Sequence, residues 1–222
     1  MFYCYENEYD LYLIKGIDIV ILYATIYLRM FNNKIISISG NARCGKDTLG
    51  KNMAEFLNDI GINTNIVSFA DELKKSVDGF LIEQTGISAF TEEDKDKSLI
   101  RPFLVCWGTE VMRSIDDNVW INKLKQNLKA DCVNIITDLR FENELNWVKG
   151  EGGYTIYLNR EGIPPANQLE KENNVKISIL ADLTFGIGTF DDQKILKLTS
   201  LEILEKLINK ETFELWKATC PL

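Results

Sequence analysis

The sequence predicts a three-layer α/β fold, a parallel sheet covered by helices on both faces. Three observations predict it. Short, β-branched apolar runs alternate with stretches of helical period along most of the chain. The runs are mainly β-branched and apolar, as expected of strands buried on both faces. The 222 residues, 45% of them hydrophobic, suit one domain with small insertions, and the chain shows no internal repeat or low-complexity segment.

The elements follow in order. Residues 17–28 (IDIVILYATIYL) are almost wholly apolar, but the run carries Asp18 and is short against the roughly 20 residues of a spanning helix. The segment before it is acidic and no small-residue cleavage site follows, so it also reads as a poor signal peptide. Residues 1–29 read as an extension upstream of a start at Met30, or as an added edge element. Lys34–Ser39 is the first strand and ends in Gly40. From Lys46 the period becomes helical, with Leu49, Met53, Phe56, Leu57 and Ile60 on one face and Gly61 closing the stretch. Asn65–Phe69 is a second strand. Residues 70–130 read as polar and helical, with 91–97 (TEEDKDK) as a solvated loop or helix start. Val133–Thr137 is a third strand ending in Asp138, and Phe141, Leu145 and Val148 mark the next helix. Tyr154–Leu158 is a fourth strand. After Arg160 the chain reads as irregular to Asn174, Val175–Leu180 reads as a further strand, and Thr199–Glu202 reads as a capping box opening the last helix. That helix carries Leu201, Leu204, Leu207 and Ile208 on one face.

Composition excludes much chemistry. There is no histidine, hence no Ser-His-Asp triad, Cys-His pair, histidine-ligated metal or imidazole base. The net charge of −8 argues against a duplex-DNA partner, whose binding rests on neutralising phosphates. Five cysteines, Cys4, Cys44, Cys106, Cys132 and Cys220, stand singly and read as reduced thiols in a cytosol-like compartment.

The main motif lies at the first strand-helix junction. Gly40-Asn41-Ala42-Arg43-Cys44-Gly45-Lys46-Asp47-Thr48 fits G-x-x-x-x-G-K, the pattern of a phosphate-binding loop, between a buried strand and an amphipathic helix. Its glycines let successive backbone N–H groups converge on phosphate oxygens, the helix N-terminus adds positive potential, and Lys46 brings an ammonium to the β- and γ-phosphates. Asp47 stands where a Mg²⁺-contacting hydroxyl is usual, and Thr48 supplies the hydroxyl one residue later. Either is a metal-ligand candidate. Asp138, at a strand's C-terminal end, is expected beside this loop as a further carboxylate for Mg²⁺. Leu139 follows it where a water-polarising Glu would stand. Transfer to an acceptor that already carries a nucleophilic phosphate needs no such base, which favours a kinase over a motor. Of the 25 Lys and Arg only 6 are Arg, and Arg43, Arg101, Arg113, Arg140 and Arg160 lie in or near candidate site segments. Planar, bidentate recognition of phosphate is an arginine property.

These segments together resemble a family. GNARCGKDT (40–48), SFADELK (68–74), RPFLVCWGTEVMR (101–113) with Trp120, ITDLRFENELNWVK (136–149) and GGYTIYLNR (152–160) are similar to the bacteriophage-type deoxynucleoside monophosphate kinases of the P-loop kinase superfamily. The resemblance implies ATP and Mg²⁺ as cofactors and a nucleoside monophosphate as acceptor. It implies a kinase domain over 30–222, with an acceptor-binding arm at about 70–130 and a lid at about 160–175. By the same resemblance residues 40–48 bind the ATP phosphates, and Asp138 with Asp47 or Thr48 positions Mg²⁺. Arg113 and Arg101 grip the acceptor's phosphate, and Lys46, Arg140 and Arg160 stabilise the transferring phosphoryl. Asp71, Lys74 and Trp107 are candidates for the acceptor pocket, with Trp107 and Trp120 either stacking on a base or filling the arm's core. No nucleic-acid or membrane partner is expected, and a homodimer is left open. The residues also admit another phosphorylated acceptor, dephospho-coenzyme A or phosphomevalonate, or a non-catalytic nucleotide-binding module.

Overall fold

The computed structural model describes residues 34–59, 61–188 and 195–207. Residues 1–29, Met30, Ile60 and Ile208 lie outside the described residues, as do Cys4 and Cys220. The elements are β1 (Ile35–Gly40), α1 (Lys46–Asp59), β2 (Thr64–Val67), α2 (Phe69–Thr85) and α3 (Asp94–Val105), which runs on into a π-helical segment, Cys106–Met112. After the turn Arg113–Ile115 come α4 (Val119–Lys125), β3 (Val133–Leu139), α5 (Glu142–Gly150), β4 (Tyr154–Arg160), α6 (Gln168–Leu180) and β5 (Leu183–Ile187). A last helix, α7, covers 195–207. The described strands form one sheet in the order β2-β3-β1-β4-β5, and every pair is parallel.

The core is split by this sheet as the fold class requires. Ile36 and Ile38 of β1 pack on one face with Leu49, Met53 and Leu57 of α1 and Ile203, Leu204 and Leu207 of α7. Ile35 turns to the other face, with Ile136 and Leu139 of β3, Leu145 and Val148 of α5, and Ile177 of α6. Successive strand residues point to opposite faces, so one apolar run serves both layers. A separate small core, Val77, Leu81, Ala89 and Ile100, joins α2 to α3. Among the described residues no helix is long and apolar enough to cross a membrane.

Three expectations are corrected. β2 stops at Val67 and Phe69 opens α2. Ser68 accepts from the Asp71 N–H at 3.2 Å, while Asp138 accepts from the N–H groups of Phe69 and Ala70 at 2.9 and 2.8 Å. Filling these orphan donors outweighs the strand preference of an aromatic residue. Val175–Leu180 is not a strand but the second half of α6, whose N-cap Asn167 accepts from the Glu170 N–H at 2.8 Å. Its buried residues, Asn174 and Ile177, are one helical turn apart, and Val175 and Ile179 face solvent. The fifth strand is Leu183–Ile187 instead, in a stretch given no element by its sequence. Thr199–Glu202 lies inside α7, which is already helical from 195, so it does not open that helix.

Two glycines set opposite expectations. Gly40 has φ 141°, and a Cβ there would sit 2.2 Å from the Leu158 carbonyl oxygen. Gly79, within α2, has open space around such a Cβ. In denaturant unfolding, Gly40→Ala should lower stability by about 2–4 kcal/mol, and Gly79→Ala should raise it by about 0.5–1 kcal/mol.

Candidate active site

The loop between β1 and α1 is shaped by three residues with positive φ, Gly40 (141°), Arg43 (66°) and Gly45 (101°). Cys44 N–H donates back to the Asn41 carbonyl at 3.2 Å, which closes the turn, and Leu49 N–H to Gly45 O at 2.9 Å starts the helix. Cys44 is fully buried and its burial pushes the thiol up, so it is a neutral packing group. Lys46 is buried as well. Its Nζ donates to the carbonyls of Gly40 (2.9 Å) and Asn41 (2.7 Å), folded along the loop. A cavity opens outside this turn, lined by Arg43, Gly45, Lys46, Asp47, Thr48 and Arg160, with Leu196 of α7 beside them. Three cations and the N-terminus of a 14-residue helix therefore face one space, a site for a polyanion.

A second cavity lies between the start of α2, the π-helical segment, the β3–α5 junction and α6. Its charged lining is Lys74, Arg113, Asp138, Arg140, Glu144 and Glu170, and its apolar wall includes Phe69, Leu73, Leu104, Trp120 and Phe141. The π-helical segment shapes one side. A Cβ at Gly108 would lie 2.1 Å from Leu73 Cδ1, so the segment packs directly on α2 at this glycine. The buried Trp120 donates from Nε1 to the Gly108 carbonyl at 3.0 Å.

The structure brings most of the sequence candidates to one of these cavities. Arg160 joins the loop residues. Lys74, Arg113, Arg140, Trp120 and Asp138 line the second cavity, where Lys74 also lies over the Phe90 ring at 5.3 Å. Outside the loop 40–48, three candidates line neither. Arg101 is exposed on α3. Asp71 sits in the first turn of α2, where a carboxylate favours the helix dipole. Trp107 packs in the arm, stacked with Phe103 at 6.5 Å and donating to Ser76 Oγ at 3.2 Å.

β3 neighbours β1, as a carboxylate beside the loop would need. The Asp138 carboxylate, however, accepts from Ser68 Oγ, Phe69 N and Ala70 N and faces the second cavity, apart from Asp47 and Thr48. Burial pushes this carboxyl up, against the pull of those donors and of Arg140.

Sequence reasoning missed one group at the second cavity and one contact of the phosphate loop. Glu144 is 2% exposed, and one of its oxygens accepts from the N–H groups of Arg140 (2.8 Å) and Phe141 (3.1 Å). The other accepts from Arg113 Nη2. Its signal was its place as third residue of α5, where a glutamate reaches back to the cap. The missed contact is made by Asn41, itself a residue of the predicted phosphate loop. Its Nδ2 donates to Ile163 O at 2.6 Å, and its Oδ1 accepts from Asn174 Nδ2 at 2.6 Å. Beside it the Ala42 N–H donates to Glu170 at 3.1 Å, so α6 is docked on the phosphate loop.

Burial pushes the Glu144 carboxyl up to about 7, although Arg113 and two backbone donors pull it down. A carboxyl raised on folding contributes stability below its unfolded value, lost as pH rises through the folded one. Against Glu144→Gln, whose charge is fixed, the native chain should lose stability from about pH 4.5 to about pH 7 and then level off. Melting temperatures of both proteins across this range check the sign.

The phosphomevalonate kinase family model matches residues 38–153, from β1 to the threshold of β4. A protein of Acanthamoeba polyphaga mimivirus named "Putative deoxynucleotide monophosphate kinase" is 30% identical over 152 residues, covering 58% of this chain and 75% of that protein. Among solved structures, shikimate kinase from Bacteroides thetaiotaomicron aligns with a TM-score of 0.46 at 16% identity, covering 79% of this chain and 98% of its own. Thymidylate kinase from Ehrlichia chaffeensis aligns with a TM-score of 0.38 at 15% identity, covering 77% and 98%. The family match spans the phosphate loop, the arm and the β3–α5 junction, and with the sheet and loop described above it shows that the chain belongs to the P-loop kinases, phosphotransferases of the nucleotide and small-molecule kinase type.

Proposed function

We propose that the chain transfers the γ-phosphoryl group of ATP to a deoxynucleoside monophosphate, giving the diphosphate and ADP. The observation that carries this reading is the second cavity. It sets Lys74, Arg113 and Arg140 against a wall of Phe69, Leu73, Trp120 and Phe141, so it suits a phosphate joined to a flat, largely apolar group. The name of the mimivirus relative agrees with it.

In this reading the two cavities hold the two substrates on either side of the loop. An oxygen of the acceptor's phosphate attacks the γ-phosphorus, the bond to the β–γ bridging oxygen breaks, and ADP leaves with that electron pair. The nucleophile is already anionic, so a chain without histidine lacks nothing the step requires. Lys46 leaves the Gly40 and Asn41 carbonyls for phosphate oxygens, and Arg160 faces the same charge from the end of β4. Mg²⁺ neutralises charge on the β- and γ-phosphate oxygens when bound. Thr48 and Asp47 fit it, since they offer a hydroxyl and a carboxylate in the cavity of Lys46, and Mg²⁺ uses one or two protein oxygens beside substrate phosphates.

A second reading, phosphomevalonate as acceptor, is favoured by the description of the matched family model. Away from its cations the second cavity presents Asn167, Asn173, Asn174 and the Glu170 carboxylate. Amides suit the edge of a base better than a second carboxylate would.

A coupled assay of ATP consumption with deoxynucleoside and ribonucleoside monophosphates, phosphomevalonate and dephospho-coenzyme A tests the proposal. Turnover should be highest with a deoxynucleoside monophosphate, and turnover confined to phosphomevalonate would establish the second reading instead. Lys46→Ala should lower kcat by about 10²–10³-fold at unchanged fold, judged by circular dichroism.

A further inference from the structure

We infer that Glu144 is a positioning residue for the acceptor, setting two cavity arginines in one arrangement with a single carboxylate. The inference rests on the phosphorylated-acceptor reading above.

Arg113 and Arg140 reach the second cavity from different parts of the chain. Arg113 follows the π-helical segment, and Arg140 follows β3. Nothing in either element relates one to the other. Glu144 does. One oxygen takes the N–H groups of Arg140 and Phe141, at 2.8 and 3.1 Å, and so fixes the main chain from which the Arg140 side chain starts. The other takes Arg113 Nη2. The Phe141 ring, on the residue whose N–H donates to the first oxygen, lies 3.8 Å from the Arg113 guanidinium carbon. On the far side Arg113 Nη1 donates to Asp117 O at 2.9 Å, to Asp117 Oδ1 at 3.3 Å and to Asn143 Oδ1 at 3.3 Å. The guanidinium is thus held from three sides. Among the described residues nothing accepts from its Nε–H, and the exposed guanidinium of Arg140 makes no hydrogen bond. Those donors are left for an incoming anion.

Stability alone does not account for this arrangement. The Arg113 side chain is 7% exposed and that of Glu144 is 2% exposed, and an ion pair so buried gains little over an apolar pair of the same volume. What the pair adds is geometry. A planar, bidentate donor must be aimed to within a fraction of an ångström to favour a phosphate, and a free arginine loses rotamer entropy when it binds.

The test measures Michaelis constants for ATP and for each of the four deoxynucleoside monophosphates in the full chain carrying E144Q, R113K, or both. E144Q should raise the acceptor constant about tenfold and leave the ATP constant within about twofold. In the R113K background the same change should add less than about twofold, because Glu144 acts through Arg113. A role in folding alone would lower the melting temperature without separating the two constants, and would overturn the inference. So would full additivity of the two substitutions. If E144Q does not fold, N143A serves, because it removes one acceptor of Arg113 and leaves no buried charge. It should raise the acceptor constant about threefold with the ATP constant unmoved, and no change overturns the inference. A wild-type chain that phosphorylates none of the acceptors overturns the proposed function together with this inference. An active chain whose acceptor constant E144Q leaves unmoved overturns this inference alone.

Discussion

The main chain of the phosphate loop runs so close to β4 that a methyl group at residue 40 would lie 2.2 Å from the Leu158 carbonyl oxygen. Much of the site follows from this approach. Gly40 pairs with Leu158 in the sheet, so Arg160, two residues on along β4, emerges at the loop and lines its cavity. The turn that leaves β1 takes positive φ at residues 40, 43 and 45 and starts α1 at once. The Lys46 ammonium rests on the carbonyls of Gly40 and Asn41, with Cys44 Sγ at 3.9 Å. A cation stored against backbone carbonyls is already desolvated and needs little rearrangement to take a phosphate oxygen.

The second cavity is organised by carboxylates more than by cations. Asp138 at the end of β3 caps α2, and Glu144 in the first turn of α5 holds the two residues after β3 and the arginine that follows the π-helical segment. Between them they bind the arm to the sheet at the point where a phosphorylated acceptor would meet the loop. The π-helical segment fits this picture, since π-bulges widen a helix locally and are frequent at functional sites. Here the widening brings Gly108 onto Leu73 and aims its carbonyl at the Trp120 indole.

The sheet, its parallel order and the loop were legible in the sequence because each depends on local pattern. Buried β-branched runs give strands, and a glycine-spaced turn before a helix gives an anion site. The errors share a cause. Phe69 and Val175–Leu180 have strand-like composition, yet capping by Ser68, Asp138 and Asn167 places them in helices, and a cap acts through hydrogen bonds that an apolar run does not reveal. The site residues divide in the same way. Lys46 and Arg160 could be read from their place relative to strands. Arg101 and Trp107 could not be sorted from Arg113 and Trp120, because only the fold of the arm decides which residue turns inward. Glu144 was passed over because a single glutamate in a helix's first turn is ordinary until its burial and its arginine partner are seen.

Asn41 joins the two halves of the site through one side-chain amide, donating to Ile163 and accepting from Asn174, while Ala42 beside it holds Glu170. The α6 wall of the second cavity is therefore hydrogen-bonded to the phosphate loop. Thermodynamic linkage then applies to the pair of cavities. A ligand that loosens or tightens this contact from one side changes affinity on the other by a common factor, and the reverse effect has the same size. In the proposed function, where two anions are held close together, this lets the occupancy of one cavity be registered in the other without either ligand touching the other's residues.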